Sequence, residues 1–234
     1  MTSQQSTAEV MAAALAGGGV HSMFVYPGDP IIDLMEFSRR RGIDVVLARR
    51  EATAAFMAEA SAMATGGIGC CVSTLGPGST ALVNGVAAAT LDRVPVVAIS
   101  GQIETSRQAF FTHQVVNHEA VFGPVTKWAG RVEANAAAIT MRKALRIATA
   151  ERPGAVHLTC AADTFTAPAT DSQVVTPQRT YFLINVTLDA ISSRSAGFGS
   201  SSALGAAPVV LASARSGCRG VGLRRAGLLH FVAA

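Results

Sequence analysis

The sequence predicts an α/β fold: a doubly wound, mostly parallel sheet of about six strands with helices on both faces, followed by a poorly ordered C-terminal tail. Two observations carry the sheet. Short apolar runs alternate with helical segments through about residue 165, and Gly, Pro or a capping residue stands at nearly every junction. Runs of that length read as strands buried on both faces, as a parallel sheet covered by helices requires. A third observation carries the tail: from about Asp171 onward Ser, Gly, Ala and Arg dominate and both periods fail. Residues 1–170 therefore read as one domain and 171–234 as a separate segment.

The elements follow in order. Ser6 and Glu9 have the spacing of a capping box and open a helix through Leu15, which stops at Gly17-Gly18-Gly19. His21 to Tyr26 reads as a strand ended by Pro27-Gly28. Asp29 resembles an N-cap with Pro30 at the first helical position, and that helix runs to about Arg41. Asp44 to Ala48 is a second strand, and Glu51 to Thr65 an Ala/Met helix closed by Gly66-Gly67. The third strand, Gly69 to Thr74, meets a Gly-Pro-Gly turn; a helix from Thr80 to Leu91 and a strand from Val94 to Ser100 follow. Residues 101–117 are irregular. A short helix near His118, a strand near Thr126–Val132, a helix Asn135–Thr149 and a strand Ala155–Thr159 complete the domain. In the tail, Ala207–Ala212 is a candidate strand.

Half of the 234 residues are hydrophobic and 15% are charged, which excludes a disordered protein and suffices for one core. No apolar run approaches the roughly 18–20 residues of a membrane span. The start MTSQQSTAEV lacks the basic residues and apolar centre of a secretory signal, so the expected location is cytoplasmic with no membrane partner. The formal net charge of +4 divides unevenly. Residues 1–171 hold 13 basic and 14 acidic residues, a balance of −1, whereas 172–234 hold six Arg and only Asp189, a balance of +5. The basic character belongs to the tail and gives no reason to expect a nucleic-acid partner. The cysteines, Cys70, Cys71, Cys160 and Cys218, have no zinc-like spacing and read as free thiols; no metal ligand is assigned.

Three segments fall where strands meet helices and so share one sheet edge: Tyr26-Pro27-Gly28-Asp29, Arg50-Glu51-Ala52, and Thr74-Leu75-Gly76-Pro77-Gly78. Glu51, in the first turn of an apolar helix, is either an ordinary helix-start acid paired with Arg49 or Arg50, or a functional carboxylate. On periodicity alone the ordinary reading is favoured. Gly76-Pro77-Gly78-Ser79-Thr80-Ala81 matches G-x-G-x-x-A, but on the third strand and with only Asp92 or Glu104 as a ribose-binding acid. A glycine turn needed for tight packing explains it equally. His113 and His118 share a polar loop with Gln114 and Asn117; solvation of the loop is the default reading, a pocket wall the alternative. No G-x-S-x-G elbow and no P-loop lysine motif occur, so hydrolase and NTPase chemistries lack their minimum parts.

Taken together, VYPGDP (25–30), RREATAAFMAEASAMATG (49–66), VSTLGPGSTALVNGVAAATLDRVPVVAISGQ (72–102), PVTKWA (124–129) and ERPGAVHL (151–158) resemble, in that order, the N-terminal pyrimidine-binding domain of the thiamine-diphosphate enzymes of the acetolactate synthase and pyruvate oxidase group. The likeness covers roughly residues 5–167. It reverses the reading of Glu51, which occupies the position of a glutamate that hydrogen-bonds N1′ of the cofactor's aminopyrimidine. Protonating N1′ favours a tautomer whose exocyclic nitrogen can take the proton from the thiazolium C2, after which the ring serves as an electron sink for 2-keto acid decarboxylation. A partly desolvated carboxylate suits that sharing. The resemblance further implies that Tyr26, Pro27, Gly28, Thr74, Pro77 and Gly78 line the pyrimidine and nearby substrate space, and that Gln114 stands near the reacting centre. Where the family commonly has GPGxxN, this chain has Ala81, with Asn84 one turn later.

The family holds the diphosphate and its Mg²⁺ on a separate domain with a GDG…N motif, and builds each active site between two subunits. No Gly-Asp-Gly occurs in these 234 residues. The implied role is the pyrimidine half only of a thiamine-diphosphate site, with Mg²⁺ on a partner domain and a 2-keto acid as substrate. Alone, the chain is expected to be inactive. Its partner is a second copy in a homodimer or a chain bearing the diphosphate domain. A separate small subunit of a two-chain decarboxylase and a non-catalytic dimerisation module are the other readings. Residues 171–234 then read as a linker and a degenerate or truncated start of a middle domain, which APVVLASARSG (207–217) faintly resembles.

Overall fold

The computed structural model describes residues 4–171; the tail, with its candidate strand and its expected disorder, lies outside the described residues. Six strands form one sheet, all parallel: β1 (Ser22–Val25), β2 (Asp44–Leu47), β3 (Gly69–Ser73), β4 (Val96–Gln102), β5 (Trp128–Arg131) and β6 (Ala155–Ala161). Their order is β2-β1-β3-β4-β6-β5. The helices are α1 (Thr7–Gly17), α2 (Ile32–Arg40), α3 (Glu51–Thr65), α4 (Pro77–Ala81), α5 (Val83–Leu91), α6 (His118–Phe122), α7 (Ala137–Thr149) and α8 (Ala162–Thr166).

Strand alternation divides the core in two. Met23, Val25, Cys70, Val72, Val97, Ile99, Val156 and Leu158 face α1, α2, α7 and α8. Phe24, Cys71, Val96, Ala98 and Ala155 face α3, α5 and α6. Every residue of β3, β4 and β6 is buried, whereas the edge strands β2 and β5 are partly exposed. The continuous apolar runs therefore belong to the interior of the sheet. Right-handed crossovers account for the helix faces. The chain steps outward from β1 to β2 through α2, then returns past β1 to β3 through α3 on the opposite face. That reversal leaves a crevice between the C-terminal ends of β1 and β3, where open α/β sheets bind ligands.

Several local readings shift. Ser6 Oγ accepts from the Glu9 N–H at 3.2 Å, but the Glu9 carboxylate accepts from Gln5 Nε2 rather than closing the box. Asp29 is not an N-cap: Gly28 takes that position before a 3-10 turn, Asp29–Ile31, and α2 begins at Ile32. The helix after the Gly-Pro-Gly turn begins at Pro77 instead of Thr80, as proline's fixed φ allows in a first turn. Strands β4 and β6 run two residues further than their apolar runs suggested, and α8 was not expected. The three described cysteines, Cys70, Cys71 and Cys160, are buried free thiols, and burial pushes Cys70 up to about 12.

His118 overturns the default of loop solvation. It is buried at the start of α6, with Nδ1 3.2 Å from Thr159 Oγ1, and its ring meets that of His157 edge-on. Burial, then the Arg131 charge, lowers His118 to about 4; burial, then His118, holds His157 well below the ordinary histidine range. Both imidazoles are neutral in the folded state at pH values where the unfolded chain already binds protons. Stability is therefore complete above about pH 6.5 and falls as pH drops toward 5, by about 1.4 kcal/mol per pH unit for each imidazole. Urea midpoints between pH 6.5 and 5 check this, and His118→Gln should roughly halve the slope. A midpoint constant across that window contradicts it.

Candidate functional site

The residues after β1, β2, β3 and β4 meet at one edge because all four strands run the same way. Tyr26 N–H donates to Val72 C=O at 3.3 Å, so the end of β1 stays paired with β3 into the crevice. Gly28 is pressed on Thr74: a Cβ at Gly28 would lie 2.5 Å from both Cβ and Oγ1 of Thr74. No other residue allows that approach without moving one of the two loops.

Glu51 stands on the other side of the same corner. It begins α3, a fifteen-residue helix whose N-terminal dipole favours a carboxylate. A Cβ at Gly78 would lie 2.9 Å from Glu51 Oε1 and 3.0 Å from Thr74 Cγ2. Gly78 thus approaches both Glu51 and Thr74, and Thr74 in turn meets Gly28. The pairing with Arg49 or Arg50 does not form: both arginines are exposed, and among the described residues the Glu51 carboxylate is in no salt bridge. Glu51 itself is half-buried, a carboxylate held in place by the chain but left with acceptor capacity to spare.

Gly76 turns the corner with φ +60° and ψ −123°, a conformation that requires glycine. A Cβ there would lie 2.7 Å from both Cβ and O of Gln114. That contact brings the loop after β4 onto the Gly-Pro-Gly turn, with Gln114 itself at φ +58° and exposed. Tyr26 is 40% exposed; Pro27 and Pro77 are exposed on the same rim. The structure therefore brings all eight candidate positions (Tyr26, Pro27, Gly28, Glu51, Thr74, Pro77, Gly78 and Gln114) to the loops after β1, β2, β3 and β4. Asn84, one turn after Ala81, is exposed on α5. Asp92 ends α5 at the opposite edge of the sheet, which removes it as a ribose-binding acid for the Gly76–Gly78 turn.

A buried polar cluster beneath the turn escaped the sequence reading. Ser73, Ser79, Ser100 and His157 are each 0% exposed and hydrogen-bonded together. They are far apart in sequence, and only the pairing of β3, β4 and β6 makes them neighbours. Among the described residues no group of three or more His, Cys, Asp or Glu could hold a metal ion, and no helix is long and apolar enough to cross a membrane.

The corner fits a planar, nitrogen-bearing heterocycle better than an anion. A carboxylate with no ion pair among the described residues stands beside Gly78, and Gly28 leaves room for backbone to approach closely. Gly78→Ala should keep the fold and displace the Glu51 carboxylate, since its methyl needs the space of Oε1. Crystallography of that variant checks the displacement, and an unmoved Glu51 contradicts the assigned contact.

Comparison with known proteins agrees in place and extent. The family model described as thiamine pyrophosphate enzyme, N-terminal TPP binding domain, matches residues 5–121. The probable acetolactate synthase large subunit of Methanocaldococcus jannaschii is 37% identical over 152 residues, 64% of this chain and 26% of that protein. The catabolic acetolactate synthase of Raoultella terrigena is 35% identical over 166 residues, 70% of this chain and 30% of that protein. The acetolactate synthase isozyme 3 large subunit of Escherichia coli is 35% identical over 153 residues, 64% of this chain and 27% of that protein. The chain thus spans less than a third of the length of these curated relatives.

Proposed function

Because the chain belongs to the thiamine pyrophosphate enzymes, through their N-terminal TPP binding domain, we propose that it supplies the pyrimidine half of a thiamine-diphosphate site in an acetolactate-synthase-like enzyme acting on 2-keto acids. One observation carries the reading: the Glu51 carboxylate, in no ion pair among the described residues, lies against Gly78 at the switch point of the sheet. Thiamine diphosphate, when bound, supplies a nucleophilic carbon and an electron sink for decarboxylating a 2-keto acid and transferring the remaining fragment.

The residues of this chain hold and prepare. Glu51, at the first turn of α3, would hold the ring nitrogen N1′ by a hydrogen bond and provide the carboxylate for proton sharing there. The Gly28–Thr74 contact and the Gly76–Gly78 turn would line the pyrimidine, with backbone close at Gly28 and Gly78. Tyr26 and the loop carrying Gln114, both exposed, would border the substrate space beside the ring. No Gly-Asp-Gly occurs among these 234 residues, so the diphosphate and Mg²⁺ would be held by a GDG-bearing domain outside them, and the site would form where that domain meets this one.

Calorimetry with thiamine diphosphate and Mg²⁺ tests the division of labour. The isolated chain should show no tight binding, and addition of a chain bearing the diphosphate domain should restore binding and turnover of a 2-keto acid. Tight binding by the chain alone overturns the half-site reading.

A further inference from the structure

The hydrogen-bond inventory beneath the Gly-Pro-Gly turn closes in only one way. Ser100 Oγ has three partners: Ser79 Oγ at 2.9 Å, Ser73 Oγ at 3.1 Å and His157 Nε2 at 2.9 Å. A hydroxyl carries one proton, so it donates once and accepts the rest. Ser79 donates to Ser100. Ser73 spends its proton on the Thr74 carbonyl at 3.1 Å, so the proton between Ser73 and Ser100 comes from Ser100. The third partner, His157 Nε2, is then the N–H.

The other tautomer does worse twice. With the proton on Nδ1, Nε2 takes the Ser100 proton, Ser73 must turn to Ser100, and the Thr74 carbonyl loses its partner. An N–H is then stranded at Nδ1, which has no partner in the buried interior. His157 cannot turn away to relieve this. Its ring lies flat on Phe122, centroids 3.6 Å apart and planes 3° from parallel, with both residues fully buried. Burial and the neighbouring His118 also keep the ring neutral, so it exists as one tautomer or the other.

We propose that His157 is a positioning residue for the cofactor corner, a neutral Nε2–H imidazole whose hydrogen bond passes through Ser100 and Ser73 to the Thr74 carbonyl while Ser79 ties the following turn to the same hydroxyl. Thr74 carries the Oγ1 and Cγ2 against which Gly28 and Gly78 pack, so the chain sets the wall of the site from the far side of β4. The assignment of that wall to a pyrimidine rests on the proposed function; the tautomer and the coupling do not.

Nitrogen-15 spectra of the 234-residue chain test both. Long-range imidazole correlations should show His157 protonated at Nε2. Ser100→Ala and His157→Phe, the latter keeping the stack on Phe122, should each move the backbone amides of residues 74–79, with the double variant showing no more than the larger single effect. His157→Gln, whose side-chain amide can donate in place of Nε2–H, should restore those amides. Protonation at Nδ1, amides 74–79 unmoved in either single variant, or additive effects overturn the proposal. If His157→Phe does not fold, the tautomer and Ser100→Ala decide the question. None of these readouts needs cofactor, so a corner that responds as described while Glu51→Gln leaves cofactor activation intact would sink the proposed function and spare this inference.

Discussion

Glu51→Gln will leave the fold intact and stop cofactor activation. Glutamine matches glutamate in size and still offers a hydrogen-bonding group, but it cannot share a proton with a ring nitrogen. A positioned acid–base group contributes about 10²–10⁴-fold, so in an assembly with a diphosphate-domain chain the exchange of the cofactor's C2 proton should slow by at least about 10²-fold. The thermal midpoint should change little, because Glu51 is half-buried and in no ion pair among the described residues. Exchange within about tenfold of the unaltered protein would return Glu51 to the status of a helix-start acid. Glu51→Asp, which keeps the charge and withdraws it by one methylene, should fall between the two.

Gly69→Ala should have the largest structural effect. A Cβ at Gly69 would lie 2.2 Å from the Ala58 carbonyl oxygen and 2.8 Å from its carbon. Both are backbone atoms of α3, so no side chain can rotate out of the way; the helix must move off the sheet. Overpacking of that kind costs about 3 kcal/mol. Gly42→Ala is the control: a Cβ there meets nothing within 4 Å, but φ is +80°, which costs about 1 kcal/mol. Urea denaturation should separate the two variants. The displacement also reaches Glu51, about two turns earlier on the same helix, so Gly69→Ala should impair the site even where it folds. A variant as stable as Gly42→Ala would mean that α3 does not approach β3 as described.

The fold was legible because its physics is local. A run such as Val94–Ser100 is too short and too apolar for anything but an interior strand, and Gly-rich turns mark where α3 and β3 must stop. Boundaries were less legible where two signals compete. Asp29 has the chemistry of an N-cap, but Gly28 is drawn against Thr74, a residue 46 positions away, and the turn tightens into a 3-10 step instead. His118 sits among polar loop residues, and nothing nearby reveals that Thr159 and His157 of β6 will receive it.

The site was legible in part and for a different reason. Spacing put Tyr26–Gly28, Glu51 and Thr74–Gly78 on one edge, but left Glu51 between two roles; the likeness to a known domain, and not periodicity, favoured one. The contact between Gly76 and Gln114 depends on how the loop after β4 folds back, which no local pattern encodes. The serine and histidine cluster was hidden most completely. Each member alone is an unremarkable polar residue in a buried segment, and only the register of three strands makes a donor chain of them.

The most direct test of the central claim is a crystal structure of this chain assembled with a diphosphate-domain partner, thiamine diphosphate and Mg²⁺. The Glu51 carboxylate should lie within about 2.6–3.2 Å of the pyrimidine N1′, with the ring against the Gly28–Thr74–Gly78 wall. A pyrimidine bound elsewhere, with Glu51 facing solvent, would contradict the account.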